Sequence, residues 1–373
     1  MNESSDKFYD DEGAHEDAII QSISRVLDSC SKYSVKNLNS AIDQLQTDND
    51  TVPHSSHYGP ISKRKRFSSY FYNIDGNKTN FHGLCVELKR FNTEFSVIGL
   101  AETNIDAPLK SLYQIPNYNS FYQSTMEDKE KGTGVALYVH KYFNADIIES
   151  VSYCNPDIES IFVNISHSSS PKKLITGVIY RPPSGNTKKF MDHFEKICSS
   201  LPDSGVRILG DYNIDFLQMK SNTNIPSQFE DLFISNGLSP VISIPTHART
   251  SSTPSCIDNI LTNDIDKILL SGTISDSPGD HLPVFEISDI PFIDDQKKEK
   301  SVRYYEYSNK NLEKFVEQLS QDLANHQISN SFSDFSKIYQ NAIDTTCKLE
   351  RPKVTKRTIE INPWITDGII KCS

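Results

Sequence analysis

Apolar and polar positions alternate in short runs through the middle of the chain and shift to a helical period towards both ends. Between Phe67 and Ile287 the runs are rich in Val, Ile, Phe and Tyr and are punctuated by Gly, Pro, Asn and Ser, the texture of strands joined by turns. Strands are predicted over residues 69–73, 95–101, 119–124, 134–139, 160–165, 174–180, 206–211, 256–261 and 283–287. Helices are predicted among them: one opened by Asn80 with Leu84, Leu88 and Phe91 on one face, and one capped by Thr187 with Phe190, Phe194 and Ile197. In a third, Ser227 and Glu230 have capping-box spacing, Phe229, Leu232 and Phe233 form the apolar face, and Gly237 is the stop. Strands and helices mixed at irregular spacing predict an α/β sandwich, not a regular parallel barrel.

The flanks read differently. Residues 1–66 begin acidic and polar, offer one amphipathic helix over 18–27, are expected to be mostly disordered, and end on Lys63-Arg64-Lys65-Arg66. That quartet is a nuclear-import or backbone-contacting patch, or a solvated charge run. Residues 291–373 return to a helical period, with Leu312, Phe315, Val316, Leu319 and Leu323 on one helix and Phe335, Ile338 and Ala342 on another. A basic stretch (Arg351, Lys353, Lys356, Arg357) then precedes Pro363-Trp364-Ile365. The expected division is thus 1–66, 67–290 and 291–373, the last a helical appendage.

Composition narrows the class. No long apolar stretch and no basic-then-apolar leader is present, so neither a membrane span nor a secretory signal is expected, and an intracellular protein follows. The 7 cysteines are odd in number and never form a Cys-x-x-Cys, which argues for a reduced compartment without a zinc ribbon. A net charge of −11 excludes a general nucleic-acid coat. It leaves room for an enzyme that grips nucleic acid through a local basic rim and works through carboxylates. Lys131-Gly132-Thr133-Gly134 runs into a strand, so it reads as a hairpin and not as a nucleotide-binding loop.

The candidate chemistry sits at predicted strand ends. Asp211 and Asn213, one residue apart after the run Val206–Leu209, would face one cleft together. Glu102 with Asn73 offers hard oxygen ligands suited to Mg²⁺. Tyr180 offers a phenol to a phosphate or leaving group, and Arg181 beside it a cation for the substrate. Asp258, flanked by Ile257 and Ile260, needs a partner or a metal. His281, oriented by Asp280, would act as acid, base or phosphate donor near neutral pH. Together these types fit metal-assisted phosphodiester hydrolysis, with Asp211 activating or aligning water and Asn213 positioning it.

The series Asn73-Ile74-Asp75-Gly76, Leu100-Ala101-Glu102-Thr103, Gly134 to Val139, Tyr180-Arg181-Pro182-Pro183, Gly210-Asp211-Tyr212-Asn213, Ile257 to Ile260 and Asp280-His281-Leu282-Pro283 resembles the endonuclease/exonuclease/phosphatase family. Within it, residues 68–290 look most like the apurinic-type endonuclease domain of LINE-type non-LTR retrotransposons. The resemblance implies a four-layered, DNase I-like α/β sandwich of two mixed sheets flanked by helices. It implies Asn73, Glu102 and Asp258 at the metal side, and Tyr180, Asp211, Asn213, Asp280 and His281 as the catalytic set. Thr246, in Pro245-Thr246-His247, matches a position that lines the site, and with Arg181 it is assigned to the substrate. Two departures stand out: Gly279 where the family has Ser, and Tyr212 where it has Phe. Pro363-Trp364-Ile365-Thr366 looks like the segment before the reverse transcriptase of such elements.

The expected function is therefore a Mg²⁺-dependent endonuclease, with Mn²⁺ as an alternative, that nicks DNA and leaves a 3′-hydroxyl for priming. Element RNA and a reverse-transcriptase domain lying outside this chain are the further expected partners, and the expected location is the nucleus with a cytoplasmic pool. Two other readings are a phosphatase or diesterase acting on lipid or inositol phosphates, and a non-catalytic DNA-binding remnant of a decayed element.

Overall fold

The computed structural model describes residues 6–47, 64–105, 107–123, 133–168, 170–219, 225–247, 253–277, 279–293, 304–305, 309–325, 332–346 and 349–350. Two compact units are present, Met1–Asp295 and Gln296–Ser373. The elements of the first are, in chain order, α1 (Asp6–Ser29), β1 (Ser31–Tyr33), α2 (Val35–Thr47), β2 (Arg64–Asn73), α3 (Asn77–Leu88), β3 (Val97–Ala101), β4 (Tyr118–Gln123), β5 (Val135–His140), β6 (Asn144–Ile147), β7 (Cys154–Asn155), β8 (Ile158–His167) and β9 (Ser170–Tyr180). They continue with α4 (Thr187–Cys198), β10 (Val206–Asp211), α5 (Ile225–Ser235), β11 (Ser239–Pro240), β12 (Asp258–Thr262), β13 (Ile268–Ile274) and β14 (Val284–Ile293). One mixed sheet has the order β1-β13-β14-β2-β3-β5-β4, and the other β11-β12-β10-β9-β8-β6 with β7 added against β8.

Period-two alternation decides which side chains meet. On β2, Phe67 and Phe71 enter a core between the sheets, while Tyr70 and Tyr72 enter a second core on the outer face. On β10, Leu209 faces inward and Val206 and Ile208 face outward, against Phe190 and Phe194 of α4 and Phe229 and Phe233 of α5. The layers are therefore α2 and α3, the first sheet, the second sheet, and α4 and α5, the four-layered sandwich expected.

The inward-facing positions towards the far end of the cleft are polar. Arg207 and Glu286 are both fully buried, 3.7 Å apart, and Ser69 and Ser288 donate to the Glu286 carboxylate. A buried pair of this kind holds only because each charge has further partners; Arg207 Nη1 also lies 3.4 Å from Asp264.

Part of the segment expected to be disordered is an integral layer. Strand β1 pairs parallel with β13, Ser31 opposite Gly272, where a Cβ would fall 2.0 Å from the Ser31 carbonyl oxygen. Only glycine permits that approach. Val35, Leu38 and Ile42 of α2 are buried on the outer face of the first sheet, and Val26 and Cys30 reach the core between the sheets. Leu38→Ala is expected to destabilise the domain by about 2 kcal/mol in urea unfolding, near the low end for a buried leucine; an unchanged midpoint would mean that α2 is not part of the folded unit.

Local signals moved by a residue or more. Helix α4 is capped by Asn186, whose side chain accepts the Lys189 N–H, instead of by Thr187. Helix α3 starts at Asn77, and Asn80 within it donates to the carbonyls of Ile74 and Asp75. Ser227 and Glu230 lie inside α5, which starts at Ile225. Arg64 to Arg66 begin β2 instead of ending a linker: Lys65 donates to the Tyr142 hydroxyl, and Arg66 lies 3.6 Å from Asp289. Lys63 lies outside the described residues.

The second unit contains α6 (Asn309–Asn325) and α7 (Phe332–Thr346), with β15 (Tyr304–Tyr305) antiparallel to β16 (Leu349–Glu350). Phe315 and Tyr339 meet edge to face at 5.4 Å, and Ala342 and Ile343 are buried. The basic stretch from Arg351 and the Pro363 motif lie outside the described residues.

Candidate active site

Several inward-facing positions run out of core at one end of the sandwich. Asn73 ends β2, Tyr180 ends β9, Asp211 ends β10 and Asp258 opens β12. Asp211 is in register with Tyr180 on one side and with Asp258 on the other, and Asn73 with Ala101, the residue before Glu102. The register alone therefore gathers four acids and amides and a phenol at one rim. Five described non-glycine residues have positive φ: Asn117 precedes β4, and the other four, Asp75, Glu102, Asn104 and Asn213, lie in turns that follow β2, β3 and β10. Such conformations are retained where the surroundings over-determine them, and they cluster at functional sites.

Asp211, 1% exposed, is the hub. Its Oδ2 accepts Asn73 Nδ2 at 2.8 Å, and its Oδ1 accepts the Asn213 backbone N–H at 2.9 Å. Burial, and then the charge of Asp258, push the Asp211 carboxyl up to about 7, against the pull of His281 and the two hydrogen bonds. Asn73 Nδ2 also donates to Glu102 Oε1 at 2.9 Å, and the Tyr180 hydroxyl donates to the same oxygen at 3.1 Å. Burial and the neighbouring carboxylates hold the Tyr180 phenol well above its ordinary value, so it is a donor at any working pH.

The other flank is an acid and an imidazole. His281 Nδ1 lies 2.9 and 3.1 Å from the two oxygens of Asp258, which also accepts the Thr246 hydroxyl at 2.8 Å. Burial pushes the imidazole down, but the charge of Asp258, the hydrogen bond to it, and the charges of Asp211 and Glu102 more than offset this and hold His281 at about 9. With Nδ1 engaged, Nε2 is the nitrogen left for a substrate. The His247 ring lies 4.7 Å from that of His281.

Asp258, grouped with the metal ligands, bonds His281 and stands with Asp211 and His281 in a group that could hold a metal. Three sequence assignments change. Asp280, expected to orient the imidazole, is exposed in the bend before His281, and the carboxylate bonded to His281 Nδ1 is that of Asp258. Arg181, expected at the substrate, is 7% exposed and donates to the carbonyls of Tyr212 and Asn213, both at 2.7 Å. Thr246 is fully buried and braces Asp258, also accepting the N–H groups of Ile257 and Asp258 at 3.1 Å, so it supports the site from behind. Asn213 uses Nδ2 on the Arg181 carbonyl at 2.8 Å, which leaves its Oδ1 for a water. A Cβ at Gly279 would lie 2.7 Å from the Tyr72 hydroxyl, so the space a serine would need is filled from β2. Sequence reasoning also missed Glu159, a fully buried acid that accepts the Gly134 N–H and so ties down the turn beside Glu102; its place among Ile158, Ile161 and Phe162 was the available signal.

Two donor sets are suited to a cation. Glu102 and Asp211 offer hard carboxylate oxygens, bridged by Asn73 Nδ2 while Asn73 Oδ1 accepts the Asp75 N–H, and Glu102 Oε2 takes no hydrogen bond among the described residues. Asp211, Asp258 and His281 also bring one potential ligand atom each within 4.8 Å of one another. The first set fits Mg²⁺ by chemistry. In the second, the nitrogen nearest the acids is already bonded to Asp258.

Residues 174–285 match the family model described as endonuclease-reverse transcriptase. No curated protein sequence matches the chain. Among solved structures, the endonuclease domain of TRAS1, a telomere-specific non-LTR retrotransposon, aligns with TM-score 0.49 and 13% identity over 60% of this chain and 98% of its own. An endonuclease/exonuclease/phosphatase family protein from Bacteroides thetaiotaomicron aligns at 0.45 and 18% over 60% and 97%. The catalytic domain of Xenopus laevis APE2 aligns at 0.47 and 19% over 62% and 94%. The family match spans β9 to β14, the part of the two-sheet sandwich whose strand ends and turns supply Tyr180, Asp211, Asn213, Asp258 and His281.

Proposed function

We propose that the sandwich domain is a divalent-metal-dependent phosphodiesterase that nicks DNA and leaves a 3′-hydroxyl, as the endonuclease of a non-LTR retroelement would. The observation that carries this reading is the placement of Asp211 between the Asn73–Glu102–Tyr180 group and the Asp258–His281 pair. An ionised Asp211 takes the proton of an attacking water that Asn213 Oδ1 aligns. Protonated His281 donates from Nε2 to a phosphoryl oxygen, where negative charge accumulates. The Tyr180 hydroxyl fixes Glu102, and Asn73 links Glu102 to Asp211. A bound Mg²⁺ or Mn²⁺ at Glu102 would polarise the phosphoryl group and stabilise the leaving oxygen.

In this reading DNA is the substrate, the nucleus is the place of action, and residues 296–373 lead towards a reverse transcriptase acting on element RNA. Supercoiled plasmid incubated with Mg²⁺ is expected to become nicked circles, and EDTA to stop the conversion. Glu102→Ala should lower the rate at least about tenfold at fixed Mg²⁺, with partial recovery at higher metal concentration. Undiminished cleavage by this variant, or release of phosphate from inositol phosphates without plasmid nicking, would overturn the proposal.

A further inference from the structure

We propose that Arg181 is a positioning residue whose guanidinium sets the turn carrying Asp211 and Asn213, so that it acts on the reaction through that turn and not on the substrate. The inference rests on the phosphodiesterase reading above. Tyr180 faces the cleft from the last position of β9, so its neighbour Arg181 points to the other side, under the turn that leaves β10. There Nε donates to the Tyr212 carbonyl and Nη2 to the Asn213 carbonyl, both at 2.7 Å, while Nη1 reaches the carbonyls of Pro182 and Gly185 at 3.4 and 3.5 Å. The main chain of Arg181 adds two more ties: its N–H donates to the Asp211 carbonyl at 3.0 Å, and its carbonyl accepts Asn213 Nδ2 at 2.8 Å. No carboxylate lies within ion-pair distance of the guanidinium among the described residues, so a nearly buried cation is held by carbonyls alone.

The fork fits one backbone shape. Successive carbonyls of an extended strand point to opposite sides, and those of Tyr212 and Asn213 reach one guanidinium edge because Asn213 turns left-handed at φ 47°. That same turn aims the Asn213 N–H at Asp211 Oδ1 and leaves the Asn213 Oδ1 free for water. Guanidinium is planar and presents two parallel donors; an ammonium keeps the charge but cannot span both carbonyls. A lysine at this position therefore separates charge from geometry.

The test is steady-state nicking by wild type, Arg181→Lys, Asn213→Ala and the double variant, with kcat and KM for DNA measured separately and folding followed by circular dichroism. Arg181→Lys is expected to fold, to lose on the order of tenfold to a hundredfold in kcat, and to keep KM within about twofold. The double variant should be no slower than the slower single variant, because Asn213→Ala already removes the side chain that the Arg181 fork holds in position. A raised KM with kcat kept would place Arg181 on the DNA and overturn the inference. So would unchanged kcat, losses that multiply in the double variant, or an unfolded Arg181→Lys, since a fork that only sets the turn predicts a folded protein. A wild type that does not nick at all would instead remove the parent reading.

Discussion

Asp211→Asn is expected to lower nicking by about 10³-fold while the protein becomes more stable than wild type above pH 7. The first effect follows from position. Asp211 is the one carboxylate in contact with both flanks of the site, and a positioned base contributes roughly 10² to 10⁴ in rate. A carboxamide also has only one acceptor oxygen, so it cannot accept Asn73 Nδ2 and the Asn213 N–H as the carboxylate does. The second effect follows from burial. The Asp211 carboxyl is raised from 3.8 to about 7, so the folded state holds its proton more tightly than the unfolded chain does. That stability is fully present below about pH 4 and is lost as pH rises through 7, where the fold must carry a buried charge beside Asp258. Asparagine never ionises and escapes the loss. Melting temperatures at pH 6 and pH 8 beside plasmid nicking give both readings. Retained activity would remove Asp211 from the chemistry, and a variant less stable than wild type at pH 8 would show that the hydrogen bonds outweigh the charge.

The ends of strands were readable in the sequence because period two is strict. Once 69–73, 174–180 and 206–211 are taken as strands, Asn73, Tyr180 and Asp211 must face the same way as the apolar residues two positions back, and the structure gathers them accordingly. What misled the reading was adjacency along the chain. Asp280 precedes His281 and Arg181 follows Tyr180, yet the partner of His281 comes from β12 and the partners of Arg181 from the turn after β10. No local pattern announces such pairings, because they depend on which strands lie side by side. The layer from Ser31 to Thr47 is a different case. Val35, Leu38 and Ile42 have helical spacing but stand among polar residues, and the glycine that admits β1 lies far away at 272.

Asp258→Asn is the complementary experiment, because it should disable the site while leaving the Asp211 and Glu102 side chains in place; removing its charge also relieves part of the upward push on the Asp211 carboxyl. In wild type the imidazole of His281 is buried, which disfavours its charge, and the carboxylate of Asp258 more than offsets that penalty, bringing it to about 9. At pH 7.5 it is then an imidazolium, able to donate from Nε2 to phosphoryl oxygen. Its raised value means that the fold gains stability from the protonated ring below about pH 6.5 and loses that gain as pH rises through 9. Without the carboxylate, burial is left unopposed by its nearest partner, and the ring titrates below its wild-type value and stands largely neutral at pH 7.5. Nicking should fall by about 10² to 10³-fold at that pH, within the range for a lost donor to developing negative charge, and part of the loss should return at pH 6, where the ring is protonated again. His281 chemical shifts in metal-free protein, followed from pH 5 to 10, measure the displaced titration directly and do not depend on activity. An imidazole that still titrates near 9 in Asp258→Asn would mean that Asp211 and Glu102 sustain its charge by themselves, and the Asp258–His281 pair would then be a structural contact at the back of the cleft.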